Sequence, residues 1–335
     1  MKRYREVVIL ILAIARCSSS SPVTAQELEK LAIGHSNLRN DIAALWVPKE
    51  LGIFRKNGLD ANIVLITGGQ RMTQALLSGS APLGFTGATP VVTAVAGGAE
   101  TVMILGINNK LTYDIWAKPE IKKPEDLKGK SLAISSFGSS SHVASFLMLQ
   151  HFKLDEKRDR ITFLAIGDEP TRAQALIAGR IDATIIDPSV SLQIKDRGFT
   201  YLGNLEPLGV PFVNNALVST RSFLKSKVRT AEAVVRSIVE GNAFMLNPAN
   251  RARVTEILAK HLRLSGEEAR RTYEDLLPKV EARPYPNMDA VKATIEIMGS
   301  RNPKIAQLKP QDVVDTSILE RLEQSGSIRS ESGKQ

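Results

Sequence analysis

Six short loops carry the residue types in this chain that could do chemistry. GHSN (34–37), TGGQ (67–70) and TGAT (86–89) lie in the first part, and SSFGSSSH (135–142), GDEP (167–170) and DPS (187–189) follow. Each ends an apolar, strand-like run and precedes a helical pattern. Glycine lets a guest approach the backbone, hydroxyls and amides exchange hydrogen bonds, and the free N–H groups of a helix start favour negative charge. That is the chemistry of capture by hydrogen bonding. Taken singly, Ser, Thr, Asp and Asn at such places are ordinary helix caps; their concentration at one edge of each half gives them a joint meaning.

Bond-breaking chemistry finds less support. No GxGxxG, GxSxG or HExxH pattern occurs, and Gly129-Lys130-Ser131 has Pro124 where a phosphate-binding loop needs glycine and runs into a strand instead of a helix. His35 and His142 follow strand ends, where open α/β sheets place ligands. His151 and His261 read as structural or solvated, and the four histidines share no ligand-like spacing. No metal and no cofactor is expected.

The segment MKRYREVVILILAIARCSSSSPVTAQ opens with Lys2, Arg3 and Arg5, continues with the apolar run Val7 to Ala15 and ends in small residues. It reads as a signal peptide (1–25) cut after Ala25, and is too short for a membrane span before Arg16 interrupts it. Lipidation of Cys17, the single cysteine, ranks lower because Arg16 stands where that processing needs a small residue. Cleavage leaves a chain without cysteine, hence without disulfides or thiolate sites. The formal charge of +9 is scattered, as in DEKRDR (155–160), with no interleaved aromatics, so no nucleic-acid partner is expected.

The elements that must position the loops repeat. QALLSG (74–79) returns as QALIAG (174–179), with Gln, Ala, Leu and Gly each a hundred positions further on. In the first half, strands at 30–33, 62–66, 82–85 and 101–107 alternate with helices at 41–58, from the glycine pair Gly68-Gly69 to Gly79, and at 89–98. After the turn-rich KPEIKKPEDLKGK (118–130), strands at 131–135, 161–166 and 183–186 alternate with helices at 139–152 and 169–179. The alternation predicts α/β lobes of similar plan with parallel sheets. Beyond 220 helices take over, at 230–246, 250–262, 265–277, 288–299 and 310–324, the last with Pro310 just inside its start. The tail 326–335 is polar and expected to be disordered.

LWVPKELGIFRKNGLDANIVLITGGQRMTQALLSGSAPLGFTGATP, followed by EDLKGKSLAISSFGSSSH and QALIAGRIDATIIDP, resembles the nitrate/sulfonate/taurine and thiamine-precursor branch of periplasmic solute-binding proteins of ABC transporters, over residues 30–325. The resemblance implies a type II periplasmic binding fold: two Rossmann-like lobes joined by two crossover segments, near 108–113 and 208–214, with extra C-terminal helices. The first lobe would comprise 26–110 and 212–325, interrupted by the second at 111–211. By position it implies ligand contacts from Ser36, Asn37, Gly69, Gln70, Thr86, Gly87, Gly138, Ser139, Ser140, His142, Asp168 and Asp187. Trp46 falls where the family often turns an aromatic toward the cleft, with a core tryptophan as the alternative; Asn214 and Asn215 lie at the returning crossover, either to reach the ligand or to satisfy strand edges, and Asn214 is counted among the expected contacts.

The implied function is that of a monomeric, extracytoplasmic solute-binding component, not an enzyme, delivering a small polar or anionic solute to a membrane permease. Asp168, Glu169 and Asp187 depart from an anion site unless Arg172 or His142 offsets them, so an amine-bearing, zwitterionic or uncharged solute stands beside sulfonate, nitrate, pyrimidine or aromatic acid. The rivals are an enzyme on the same scaffold, whose synthase relative carries a cysteine-rich motif that this chain lacks, and a secreted sensor.

Overall fold

The computed structural model describes residues 27–328; the leader with Cys17 and most of the tail lie outside them. Ten strands carry the fold: β1 (Glu29–His35), β2 (Leu59–Leu65), β3 (Leu83–Thr86), β4 (Thr101–Lys110), β5 (Asp114–Ala117), β6 (Ser131–Ile134), β7 (Thr162–Ala165), β8 (Ala183–Ile186), β9 (Thr200–Asn204) and β10 (Pro211–Thr220). They form two sheets of one plan, β2-β1-β3-β10-β4 and β7-β6-β8-β5-β9.

The sheets are mixed, where the alternation of strands and helices predicts parallel ones. β1, β2 and β3 run parallel, as do β6, β7 and β8, but β10 is antiparallel to β3 and β4, and β5 to β8 and β9. The cause is the double crossing. The parallel strands point at the seam between the sheets, so a strand arriving from the opposite sheet starts at the seam and must run away from it. β4 leaves by Leu111–Tyr113 to become β5, and β9 returns by Leu205–Val210 to become β10.

Both faces of each sheet are covered, which explains the nearly continuous apolar runs. Side chains along β10 alternate, Leu217 joining the core with Ile33, Trp46 and Phe85, and Ala216 and Val218 joining the opposite core with Met72, Val91 and Met103. The repeated QAL(L/I)xG is the end of the helix that links the second and third parallel strands of each sheet, Gly69–Ser78 in one and Glu169–Ile177 in the other. Gly79 and Gly179 both adopt left-handed backbone (φ 75° and 69°) and return their N–H groups to the carbonyls of Leu76 and Leu176. Only glycine takes that conformation without strain, so each lobe ends its helix alike.

Two expected helices are broken. The stretch 41–58 divides into Ala43–Glu50 and Ile53–Lys56 because Gly52 turns left-handed (φ 70°) between them. The stretch 310–324 divides into Pro310–Val313 and Ser317–Gln324; Val314 is extended, bridges to Met103 of β4 and is buried there. The remaining C-terminal helices, led by Val228–Leu246, pack on the first lobe, with Gly241 set against the ring of Pro48. No helix among the described residues is long and apolar enough to cross a membrane.

Candidate functional site

The loops after β1, β2 and β3 meet those after β6 and β7 along the seam. A methyl group on Gly87 would lie 1.9 Å from Ser140 Oγ, one on Gly138 2.9 Å from Gln70 Nε2, and one on Gly167 3.5 Å from a Thr67 methyl. The lobes are therefore closed on each other. Between them lies a cavity of about 30 Å³, walled by Ser36, Asn37, Gly69, Thr86, Gly87, Pro90 and Asn214 from one side and by Tyr113, Ser135, Ser139, Ser140, Ser141, Glu169 and Arg172 from the other. That is room for about two water molecules. Beside it a cavity of about 340 Å³, bordered by Thr67, Gly68, Gln70 and Arg71 and by Ser135, Ser136, Ile166 and Thr171, occupies the same seam.

Backbone placement explains why these side chains converge. Ser36 donates its N–H to the Phe85 carbonyl, which joins the ends of β1 and β3 (2.9 Å). Helices Gly69–Ser78, Ala88–Ala96, Ser140–His151 and Glu169–Ile177 all begin at the seam. Ser139 caps the third by accepting the His142 N–H, and Asp168 caps the fourth by accepting the Thr171 N–H (3.3 and 2.9 Å). Ser141 Oγ accepts from the Ser135 N–H at 2.9 Å and sits 3.0 Å from Ser139 Oγ, so the serine run is a linked wall.

A buried ion contact bridges the lobes at the cavity. Arg39, fully buried, holds Asp41 through Nε–Oδ1 (3.1 Å) and Nη2–Oδ2 (2.8 Å), donates to the Asn214 carbonyl (3.3 Å), and reaches Glu169 Oε1 at 3.5 Å. Burial pushes the Glu169 carboxyl up to about 7 in spite of Arg39 and Arg172. Tyr113 Oη donates to Asn214 Oδ1 at 2.8 Å, and burial pushes its own pKa well up, leaving it a neutral donor. Thr86 Oγ1, Asn214 Nδ2 and Asn37 Oδ1 are buried without a protein partner at the cavity. Unsatisfied buried polar atoms are costly, so their clustering marks a place built to meet a guest.

Of the positions expected to meet ligand, Ser36, Asn37, Gly69, Thr86, Gly87, Ser139, Ser140 and Asn214 border the central cavity, Gln70 borders the adjoining one, and Gly138 backs onto Gln70. Four lie elsewhere. Trp46 is a core residue, 3% exposed, stacked on His261 with ring centroids 4.7 Å apart, because the C-terminal helices cover the face of its helix that carries it. His142 turns into an aromatic cluster of Phe137, Phe146 and Phe163, its Nδ1 accepting the Gly138 N–H. Asp168 spends an oxygen on its cap, and Asp187 caps Pro188–Ser191 by accepting from Ser189 N and Oγ. Asn215 is buried in the ladder opposite Asn108.

Arg39 and Tyr113 went unnoticed in the sequence. A lone arginine after NL and a tyrosine at a crossover carry no pattern; only burial identifies them. Glu169 and Arg172 stood out there as charges near the cleft, and the structure brings both to its wall.

The chain belongs to the NMT1/THI5-like family, whose pattern matches residues 39–252. It is 26% identical over 167 residues to a Brachyspira hyodysenteriae protein named as an ABC transporter periplasmic binding protein, covering 50% of this chain and 45% of that one; the chain thus spans less than half the length of that relative. Among solved structures, the alkanesulfonate-binding protein SsuA from Xanthomonas axonopodis pv. citri bound to MOPS aligns at 23% identity and TM-score 0.67 over 85% of this chain and 96% of its own. The periplasmic nitrate-binding protein NrtA from Synechocystis PCC 6803 aligns at 12% identity and TM-score 0.69, over 89% of both chains. These likenesses establish the fold as that of periplasmic binding proteins, with two α/β lobes and additional C-terminal helices.

Proposed function

We propose that this chain is the extracytoplasmic solute-binding component of an ABC importer, capturing a small polar solute between its lobes and presenting it to a membrane permease. The observation that carries this reading is the seam cavity, walled from both lobes and lined by buried polar atoms that lack protein partners. A solute touching both walls favours the closed form by its differential affinity, and the two crossovers, Leu111–Tyr113 and Leu205–Val210, are the segments about which the lobes rotate. Ser36, Asn37, Gly69, Thr86, Gly87, Ser139, Ser140 and Asn214 are the proposed contacts, with Gln70 at the adjoining cavity. The family membership and the names of the similar proteins support the same reading.

Thermal denaturation of the protein against nitrate, bicarbonate, sulfonates, pyrimidines, aromatic acids and amino acids tests it. A solute at a hundred times its dissociation constant stabilises by about 2.7 kcal/mol, and small-angle scattering should show contraction with the same solute. Turnover of a panel member, with no stabilisation by any, would replace capture by catalysis.

A further inference from the structure

Building on the solute-capture reading, we infer that the guest presents a protonated nitrogen to Glu169, and that this carboxylate selects zwitterionic or cationic solutes over simple anions. Glu169 is at the cavity wall and 3% exposed. Its Oε2 accepts the Asp187 N–H at 2.5 Å, while Oε1 has only Arg39 at 3.5 Å, and that guanidinium is already held in two places by Asp41. The other buried guanidinium, Arg172, spends Nε on Thr184 Oγ1, Nη1 on the Gly167 carbonyl and Nη2 on the Ile185 carbonyl. Arg39 thus reaches Glu169 only at long range while shared with Asp41, and Arg172 makes no hydrogen bond to it.

The surroundings deepen the deficit. Asp168 and Asp187 are buried, and neither lies within ion-pair distance of a cation among the described residues. Lys279 pairs with Asp275, and the charge of Asp187 acts on both. His35 is kept neutral by burial. Four buried carboxylates, those of Asp41, Asp168, Glu169 and Asp187, thus face two guanidiniums. An added anion enlarges that imbalance, whereas an added ammonium reduces it.

The rest of the wall supplies the complementary end. Thr86 Oγ1 and Asn214 Nδ2, on residues 0% and 1% exposed, lack partners at the cavity, and helices Ala88–Ala96 and Ser140–His151 begin there. These are donors for an acidic group. An amino acid or amino sulfonate satisfies both ends at once, its bulk needing the adjoining cavity as well, because the central one has room for only about two water molecules.

The test is calorimetric titration of the intact protein at pH 7.5 with the amino acids, β-alanine and taurine, each beside its analogue without the amino group, and with nitrate. The amino member of a pair should bind at least tenfold tighter than its analogue. Glu169→Gln should remove that tenfold preference, read as the ratio of the two affinities in the variant. If the variant fails to fold, the wild type answers: protonating Glu169 as pH falls from 7 to 5 should weaken the amino member by about tenfold per unit and strengthen the simple anion. Nitrate or an alkanesulfonate binding more tightly than any amino member, indifferent to Glu169, overturns this inference and leaves solute capture standing. Binding by neither set at millimolar concentration overturns both.

Discussion

Gly87 and Ser140 face each other from opposite lobes with no room for a side chain on the glycine: a Cβ there would stand 1.9 Å from the serine oxygen and 3.1 Å from the Asn214 carbonyl. Gly87→Ala should therefore obstruct closure without touching either lobe's core. The expected loss in solute affinity is roughly ten- to hundredfold, corresponding to about 1–3 kcal/mol of overpacking. Gly87→Ala with Ser140→Gly should recover part of it, as calorimetry of the two variants would show. Unchanged affinity in the single variant would mean that the lobes do not meet here in the bound state.

Trp46 and the cavity should prove independent. Its ring lies in the core on His261, so Trp46→Ala should cost about 3–5 kcal/mol of stability, read by denaturant unfolding. Solute affinity should stay within a few-fold when measured where the variant remains folded. A loss of binding without loss of stability would return Trp46 to the cleft.

The paired helix ends should respond alike. Gly79→Ala and Gly179→Ala each force a side chain into left-handed backbone, at a cost of about 1–2 kcal/mol, and nothing lies within 4 Å of either added methyl. Equal shifts in urea midpoint are expected. A large difference between them would show that something besides the turn sets one of these positions.

His142 makes a pH prediction. Burial in the first place, and Arg301 in the second, hold its imidazole down to about 4. The unfolded chain binds this proton near its ordinary value of roughly 6.5, so between the two the unfolded state carries more protons and acidification destabilises the fold. Stability tied to His142 is present above pH 6.5, is lost progressively toward 4, and is flat below. Glu169, raised by burial, slopes the opposite way. The measurement is thus the difference between wild type and His142→Asn in unfolding midpoint at pH 7, 5.5 and 4.5: the variant should lose less on acidification.

The sequence made the repeated helix ends and polar loops legible because both are local: a glycine turn and a cap announce themselves within four residues. β5 and β9 were missed, since DIWA and TYLGN are too short for a period and owe their pairing to partners about 70–90 residues away. Antiparallel insertion depends on the chain crossing twice, which no window of sequence contains. Seven of the expected residues that border the cavity lie in the loops and Asn214 at the crossover, but Arg39 looks like a surface charge until Asp41 and Glu169 are seen around it. His142 and Trp46 show the converse. Position at a strand or helix end does not say which way a side chain turns, and neighbouring aromatics or distant helices decided both.

The strand exchange also orders events in time. Among the strands of its sheet β4 neighbours only β10, so on a chain emerging from the ribosome the first sheet stays incomplete until residue 220 has appeared, while β5 to β9 form an unbroken stretch that can zip up beforehand. The later-made half is therefore the one able to finish first, and the earlier-made half must wait with an open edge.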